Sequence, residues 1–240
     1  MKAERHGSAE FGAPVRVLQE VGLLMAMRHS SRATVFAALA YFVTAMAAEA
    51  HPHVFVVAKS ELIYAPDGSV KAVRHAWTFD EMFSAFATQG LDKDNNGKLT
   101  REELTELAKV NVTSLKEFDY FSVMKSGDKP MAFDEPVDYW LEADANKVLT
   151  LHFTLPVKAG APKGALTLDI YDPTYFVAFS LVEEQPVTLK DAPAGCTTEI
   201  RRPENAAAGT TNLSESYFNS LSAASNYGSQ FANRISVRCK

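Results

Sequence analysis

The sequence is poor in most features that would announce a function. It has no run of basic residues, and its 24 Lys and Arg are outnumbered by 29 Asp and Glu, for a net charge of −5. Nucleic acid and anionic membrane surfaces are recognised through clustered positive charge, so neither is an expected partner. There is no internal repeat. There is no Gly-x-Ser-x-Gly elbow and no His-Glu-x-x-His pair, which removes the common hydrolase readings. Cysteine is limited to Cys196 and Cys239, and histidine to six residues in 240. The apolar run Ala33–Met46 is shorter than the ~20 residues a membrane-spanning helix needs.

That short run fits export instead. Arg28 and Arg32 precede it, and Ala48-Glu49-Ala50 follows it as a small-x-small cleavage site, the three-part arrangement of a secretory signal peptide. Residues 1–50 are therefore expected to be an amino-terminal extension plus signal, starting at Met27 or Met25 and cleaved near Ala50. The alternative is an uncleaved segment that anchors the chain in the membrane. Cleavage removes five Lys or Arg and four Asp or Glu, and leaves His51–Lys240, 190 residues with a net charge of −6. That length suits one domain with an insertion at about 79–121. In an oxidising compartment Cys196 and Cys239 read as a disulfide, with a thiol or metal pair as the alternative. Closing a loop of that length would contribute about 4 kcal/mol in the chain-entropy model.

The most specific chemical signal is Asp92–Glu103, DKDNNGKLTREE. It follows the twelve-residue EF-hand pattern. Asp92, Asp94 and Asn96 occupy side-chain ligand positions 1, 3 and 5, and Lys98 offers its backbone carbonyl at 7. Thr100 acts through a water at 9, and Glu103 closes the shell at 12. A hard cation takes oxygen ligands from one short, curled segment, and Gly97 allows the sharp turn that a Cβ would obstruct. Leu99 points into the core. Phe79, Met82, Phe83 and Phe86 recur at helical spacing before the loop, Glu102–Leu107 starts a second helix after it, and Val112–Phe121 reads as a further helix or helical turn. Calcium is the expected ion. A single loop with three carboxylates implies weak affinity, on the order of 10⁻⁴–10⁻³ M.

A second candidate site lies at the new amino terminus. In His51-Pro52-His53-Val54-Phe55, alternation places His51 and His53 on one strand face, where two imidazoles can chelate Zn²⁺, Ni²⁺ or Cu²⁺. The α-amine of His51 is a further ligand. Pro52 has no amide hydrogen, so chelation through a deprotonated second-residue nitrogen is blocked. His75 and His152 are the only body histidines that could complete such a site.

The remainder alternates in short strands: Val54–Tyr64, Val70–Thr78, Val137–Glu142, Val148–Val157, Ala165–Tyr171, Tyr175–Glu183, Val187–Leu189 and Arg234–Cys239. Residues 190–211 read as a loop and Asn212–Ala224 as an amphipathic helix. Asp172-Pro173-Thr174 reads as a turn in which the Asp side chain is a hydrogen-bond acceptor. The expected fold is α+β: an Ig-like β-sandwich with an inserted EF-hand-like helix–loop–helix and a carboxy-terminal helix plus strand.

Taken together, these motifs resemble a bacterial periplasmic family of unknown function, labelled the periplasmic component of an uncharacterised ABC-type transport system. The resemblance rests on a signal ending at His51-Pro52-His53-Val54-Phe55-Val56 and on Trp77-Thr78-Phe79-Asp80-Glu81 leading into an acidic helix. It rests also on the loop Asp92–Glu103, on Tyr171-Asp172-Pro173-Thr174-Tyr175-Phe176 and on the final cysteine. It implies a periplasmic protein associated with a membrane transporter, often one for nickel, cobalt or other metal ions. It does not imply the two-lobed fold of ordinary solute-binding proteins. Three functions are expected to compete: a calcium-stabilised accessory that handles a transition metal for a transporter, an interaction domain whose only ion is structural calcium, and a copper histidine-brace redox enzyme.

Overall fold

The computed structural model describes residues 52–161, 164–203 and 226–239. The expected signal segment, His51 and the expected helix Asn212–Ala224 lie outside these residues. Among the described residues, no helix is long and apolar enough to cross a membrane.

The chain is β-rich α+β, with two sheets over one shared core. Eleven strands are described: β1 Val54–Tyr64, β2 Val70–Phe79, β3 Ser122–Ser126, β4 Lys129–Met131, β5 Val137–Ala143, β6 Leu149–Ala161, β7 Leu166–Ile170, β8 Val177–Leu181, β9 Val187–Lys190, β10 Thr197–Arg201 and β11 Asn233–Arg238. The first sheet runs β5-β6-β2-β1-β8, and β9 also pairs with β1. Strands β8 and β9 share one edge of β1, both parallel to it, pairing with Val54–Ala58 and Ser60–Ile63 in turn. The second sheet runs β10-β11-β7-β3-β4.

Strict alternation fixes which side of β1 is inside. Val54, Val56 and Ala58 are buried while Phe55 and Val57 are exposed, as the period of two requires. Core residues Val56, Trp77 and Leu151 of the first sheet cluster with Met124, Leu168 and Ile235 of the second. Trp77 meets Phe153 and Phe179 edge-on, at 4.8 and 4.9 Å between ring centroids, the geometry favoured by ring quadrupoles.

The segment between β2 and β3 is the crossover from one sheet to the other. It carries helix α1 (Glu81–Ala87), the acidic loop, and helix α2 (Thr105–Leu115). Asp80 caps α1: one carboxylate oxygen accepts from Phe83 N at 2.8 Å and the other from Phe55 N at 2.9 Å, tying the helix start to β1. Val112 does not begin a new helix but lies within α2. The chain after Leu115 does not continue as a regular helix either. Asp119, Tyr120 and Phe121 take φ values of 49, 55 and 47°, in the left-handed region. Three consecutive left-handed residues cannot extend a right-handed helix, and they turn the chain into β3.

Three strands, β3, β4 and β10, lie where no strand was expected. Strands β3 and β4 were not legible, because they form a short hairpin around Gly127 whose outer strand is exposed and carries Pro130, a residue tolerated at sheet edges. The expected loop 190–211 contains β10, whose mostly polar and exposed residues show no apolar alternation. Its place comes from the ladder to β11 and from the disulfide Cys196–Cys239, which closes the end of that ladder beside the Thr197–Arg238 pair.

Candidate functional site

The acidic loop is organised by its own side chains. Asp92 accepts from Asn96 N at 3.1 Å and from Gly97 N at 2.9 Å. Asn96 accepts from Lys98 N at 2.7 Å and donates its side-chain amide to Asp94 at 2.6 Å. Gly97 has φ 81°, and the neighbouring Asn95 has φ 56°. Glu103 reaches back across the loop, its two oxygens accepting from Lys93 N at 2.8 Å and Thr100 N at 2.9 Å. The Thr100 hydroxyl also donates to Glu103, at 2.9 Å. These donors, Thr100 N–H first, hold the Glu103 carboxyl below its ordinary range, so it remains ionised. One carboxylate oxygen from each of Asp92, Asp94 and Glu103 falls within a cluster whose members lie within 4.8 Å of one another. The loop is exposed, but its outgoing arm is anchored: Leu104 is fully buried, and Leu99 and Leu107 pack against the core.

Among the described residues, the candidate histidines His53, His75 and His152 are not brought together. His75 is fully buried among the strands, with Ser60 Oγ 3.0 Å from Nδ1 and Ser122 Oγ 3.3 Å from Nε2. The Ser122 hydroxyl donates to Tyr120 O at 2.9 Å. It therefore accepts from the imidazole, which assigns the proton to Nε2 and leaves Nδ1 to accept from Ser60. Burial pushes the His75 pKa down to about 3, so the ring is neutral at ordinary pH. His152 lies on the opposite face of the first sheet. It stacks on Trp140 at 4.5 Å and contacts Glu142 at 2.9 Å. Arg101 of the acidic loop covers the other part of this cluster, 4.9 Å above the Trp140 ring. His53 precedes β1 and lies 4.9 Å from the Phe176 ring. Lys59, Ala76 and His152 are in register across three strands, and His53 is six residues before Lys59. At about 3.3 Å per residue, His53 and His152 are therefore about 20 Å apart. A site joining His53 to His75 or His152 is not assembled, because strand alternation and sheet position separate all three.

One feature of the region has no local sequence signature. A cavity of about 450 Å³ lies between α2 and one end of the first sheet, with Val54, Trp77, Phe83, Leu115, Phe121 and Phe179 in its wall. Trp77, Phe121 and Phe179 are buried, but spacing along the chain cannot show that they surround a space. The nearest sequence signal was the turn at Asp172. Asp172 accepts from Thr174 N and Oγ1, each at 2.8 Å, and from Val177 N at 2.9 Å.

These features define a class: a β-rich α+β domain whose inter-sheet crossover is a helix–loop–helix with a clustered carboxylate loop. The chain belongs to the family described as Protein of unknown function (DUF1007), whose model matches residues 36–239. It is similar to an uncharacterised protein of Haemophilus influenzae, 24% identical over 198 residues, 80% of this chain and 92% of that protein. It is also similar to an uncharacterised 15.5 kDa protein of Spirochaeta aurantia, 29% identical over 105 residues, 43% of this chain and 74% of that protein.

Proposed function

We propose that this protein is an exported, calcium-binding accessory of the bacterial envelope that works beside a membrane transporter for metal ions. The observation that carries the calcium reading is the convergence of Asp92, Asp94 and Glu103 oxygens to within 4.8 Å around a loop turned by Gly97. Ca²⁺ binds oxygens at 2.3–2.6 Å, so any two of its ligand oxygens lie within about 5 Å of each other. Asn96 and the Lys98 carbonyl complete the ligand set in this reading, with Thr100 acting through water. The two sheets are read as the faces of an Ig-like sandwich, and the crossover as an EF-hand-like insertion that calcium rigidifies.

The link to metal transport rests on the family resemblance. A Zn²⁺, Ni²⁺ or Cu²⁺ site, on this reading, uses His51, His53 and the amino-terminal amine without a body histidine. A copper histidine-brace enzyme is the weaker alternative, since His75 and His152 stand elsewhere. The interaction-domain alternative draws support from the outward-facing Phe55 and Val57 on β1.

The test uses untagged, purified protein whose natural amino terminus is first read by mass spectrometry. Calcium titration followed by calorimetry should give one site, and Glu103→Gln with Asp92→Asn should abolish it while the circular dichroism spectrum is retained. Zinc, nickel and copper titrations with and without His53→Ala separate a transition-metal role from a structural-calcium one. Absence of any calcium binding would overturn the proposal.

A further inference from the structure

We infer that the cavity bordered by the end of β10, the start of β11 and the 3₁₀ turn Tyr227–Phe231 is a binding site for a small, multivalent oxyanion, held by Arg201, Arg202 and Arg234. The chain as a whole carries an excess of carboxylates. This space of about 270 Å³ nevertheless has three arginines in its wall and, among the described residues, no carboxylate. Guanidinium groups offer planar, forked donors that match phosphate and carboxylate oxygens. No run of basic residues announces the cluster, because Arg201 and Arg234 are far apart in the chain. The β10–β11 ladder places them directly opposite each other. Such pairs have Cα atoms about 4.5–5.5 Å apart, and like charges so placed repel. Asp169, opposite Arg234 on β7, offsets one of the two charges. Arg201 is exposed and has no ion pair among the described residues. An oxyanion between the two guanidinium groups turns the repulsion into attraction.

The donors are held in place before any ligand arrives. Asp169 is buried, and it fixes Arg234 by accepting from Nε at 2.6 Å and from Nη2 at 2.7 Å. The other N–H groups of that guanidinium remain free to donate. Arg202 donates Nη2 to Val182 O at 2.9 Å. Its nearest carboxylate, Glu183, is 4.0 Å away and 93% exposed, too loosely held to cancel the charge. The facing wall carries Ser229 and Gln230, on a turn that is tied down at both ends. Gly228 N donates to Pro173 O at 2.8 Å, and Phe231 stacks on Tyr175 at 3.9 Å. A Cβ on Gly228 would lie 1.7 Å from Asp172 O, so only glycine permits this approach. Pre-ordered groups of this kind lower the cost of binding. Charge then selects the ligand. Three guanidinium charges against the single carboxylate of Asp169 leave an excess of two, which favours a divalent or trivalent oxyanion. The volume, just below the 300–1,000 Å³ of ordinary small-molecule pockets, keeps that anion small. Phosphates and polycarboxylates share this chemistry.

The experiment is calorimetric titration of the untagged protein with inorganic phosphate and, separately, with succinate, in calcium-free buffer at constant ionic strength. The expected result is one-to-one binding of at least one of them. Binding of phosphate alone assigns the site to phosphates, binding of succinate alone to carboxylic acids, and binding of both to oxyanions in general. Arg201→Gln should weaken the bound anion at least tenfold, the worth of one hydrogen bond to a charged group. Arg201 is exposed at the end of an edge strand, so the variant should keep the urea midpoint of the parent. Arg238→Gln is the control. Arg238 is exposed on the same side of β11, about 13 Å from Arg234 along the strand and outside the cavity wall, and its loss should leave the affinity unchanged. Failure of both anions to bind would overturn the assignment. So would an unchanged affinity in Arg201→Gln, or equal losses in Arg201→Gln and Arg238→Gln, which would mean diffuse attraction to a basic face.

Discussion

The acidic loop and the core around His75 solve the same problem, satisfying polar groups, in opposite ways. In the loop, the hydrogen bonds of Asp92, Asp94, Asn96 and Glu103 run to partners within ten residues, and the carboxylates face solvent. Its geometry concentrates negative charge, which the proposed calcium would offset. Around His75, Ser60 of β1 and Ser122 of β3 come from 15 residues before and 47 residues after it, and the ring is closed off from water. That site is complete as it stands and excludes ions. The stability of the first region should therefore depend on an added cation, and that of the second on pH and packing.

The largest expected effect comes from emptying the core. Phe153, fully buried against His75 and Trp77, should cost about 3–5 kcal/mol when changed to Ala. Denaturant melts should show the same loss with and without calcium. A calcium-dependent loss would mean that loop and core are not separate.

Next is the cation. At a hundredfold excess over its dissociation constant, bound calcium should raise the melting temperature by about 5–10 °C for a chain of this size. Glu103→Gln should remove that rise in a thermal scan while leaving the calcium-free melt nearly unchanged.

The third effect is that of pH. His75 has a folded pKa of about 3 against about 6.5 unfolded. The unfolded state therefore binds the extra proton as pH falls below 6.5, and the folded state does not until about 3. Stability present above pH 6.5 is lost on acidification, by about 2 kcal/mol between pH 7 and 5. His75→Gln should flatten that slope in urea titrations. An unchanged slope would place the titrating group elsewhere.

The smallest effect belongs to the surface. His152 pairs with Glu142 on the outer face, where the carboxylate is half exposed, and exposed pairs contribute less than about 1 kcal/mol. His152→Ala should barely move the midpoint of a urea melt. A loss comparable to that of Phe153→Ala would show that this cluster, with Trp140 and Arg101, belongs to the core.

The contrast also explains what could be read in advance. The loop was legible because its ligands sit within twelve residues and each position has its own chemical requirement. Strands β1, β2, β5 and β6 were legible because they alternate. Strand β10 was not, since its exposed residues carry no apolar signal and its position is set by β11. The stretch expected as a helix or helical turn, Val112–Phe121, is helical through Leu115 and goes on as the 3₁₀ segment Lys116–Phe121, but three left-handed residues in it, none of them glycine, break the regular helix, and no propensity foretells them. The histidines were legible as candidates but not as a group, because which face each occupies depends on pairing register. His75 shares its face with Trp77 on β2, while His152 shares the other with Trp140.

What the amino-acid order determined by itself was local: the carboxylate loop with Gly97 at its turn, and the alternating strands. Each of these depends on residues that are neighbours in the chain or on a period that a single strand imposes. Tertiary structure alone decided that β8 and β9 divide one edge of β1, that His75 is enclosed by two serines, and that Trp77 borders a cavity. Those outcomes join residues from Val54 to Lys190. They arise because two sheets must bury their apolar faces on each other, and where the faces diverge around α2 a space remains.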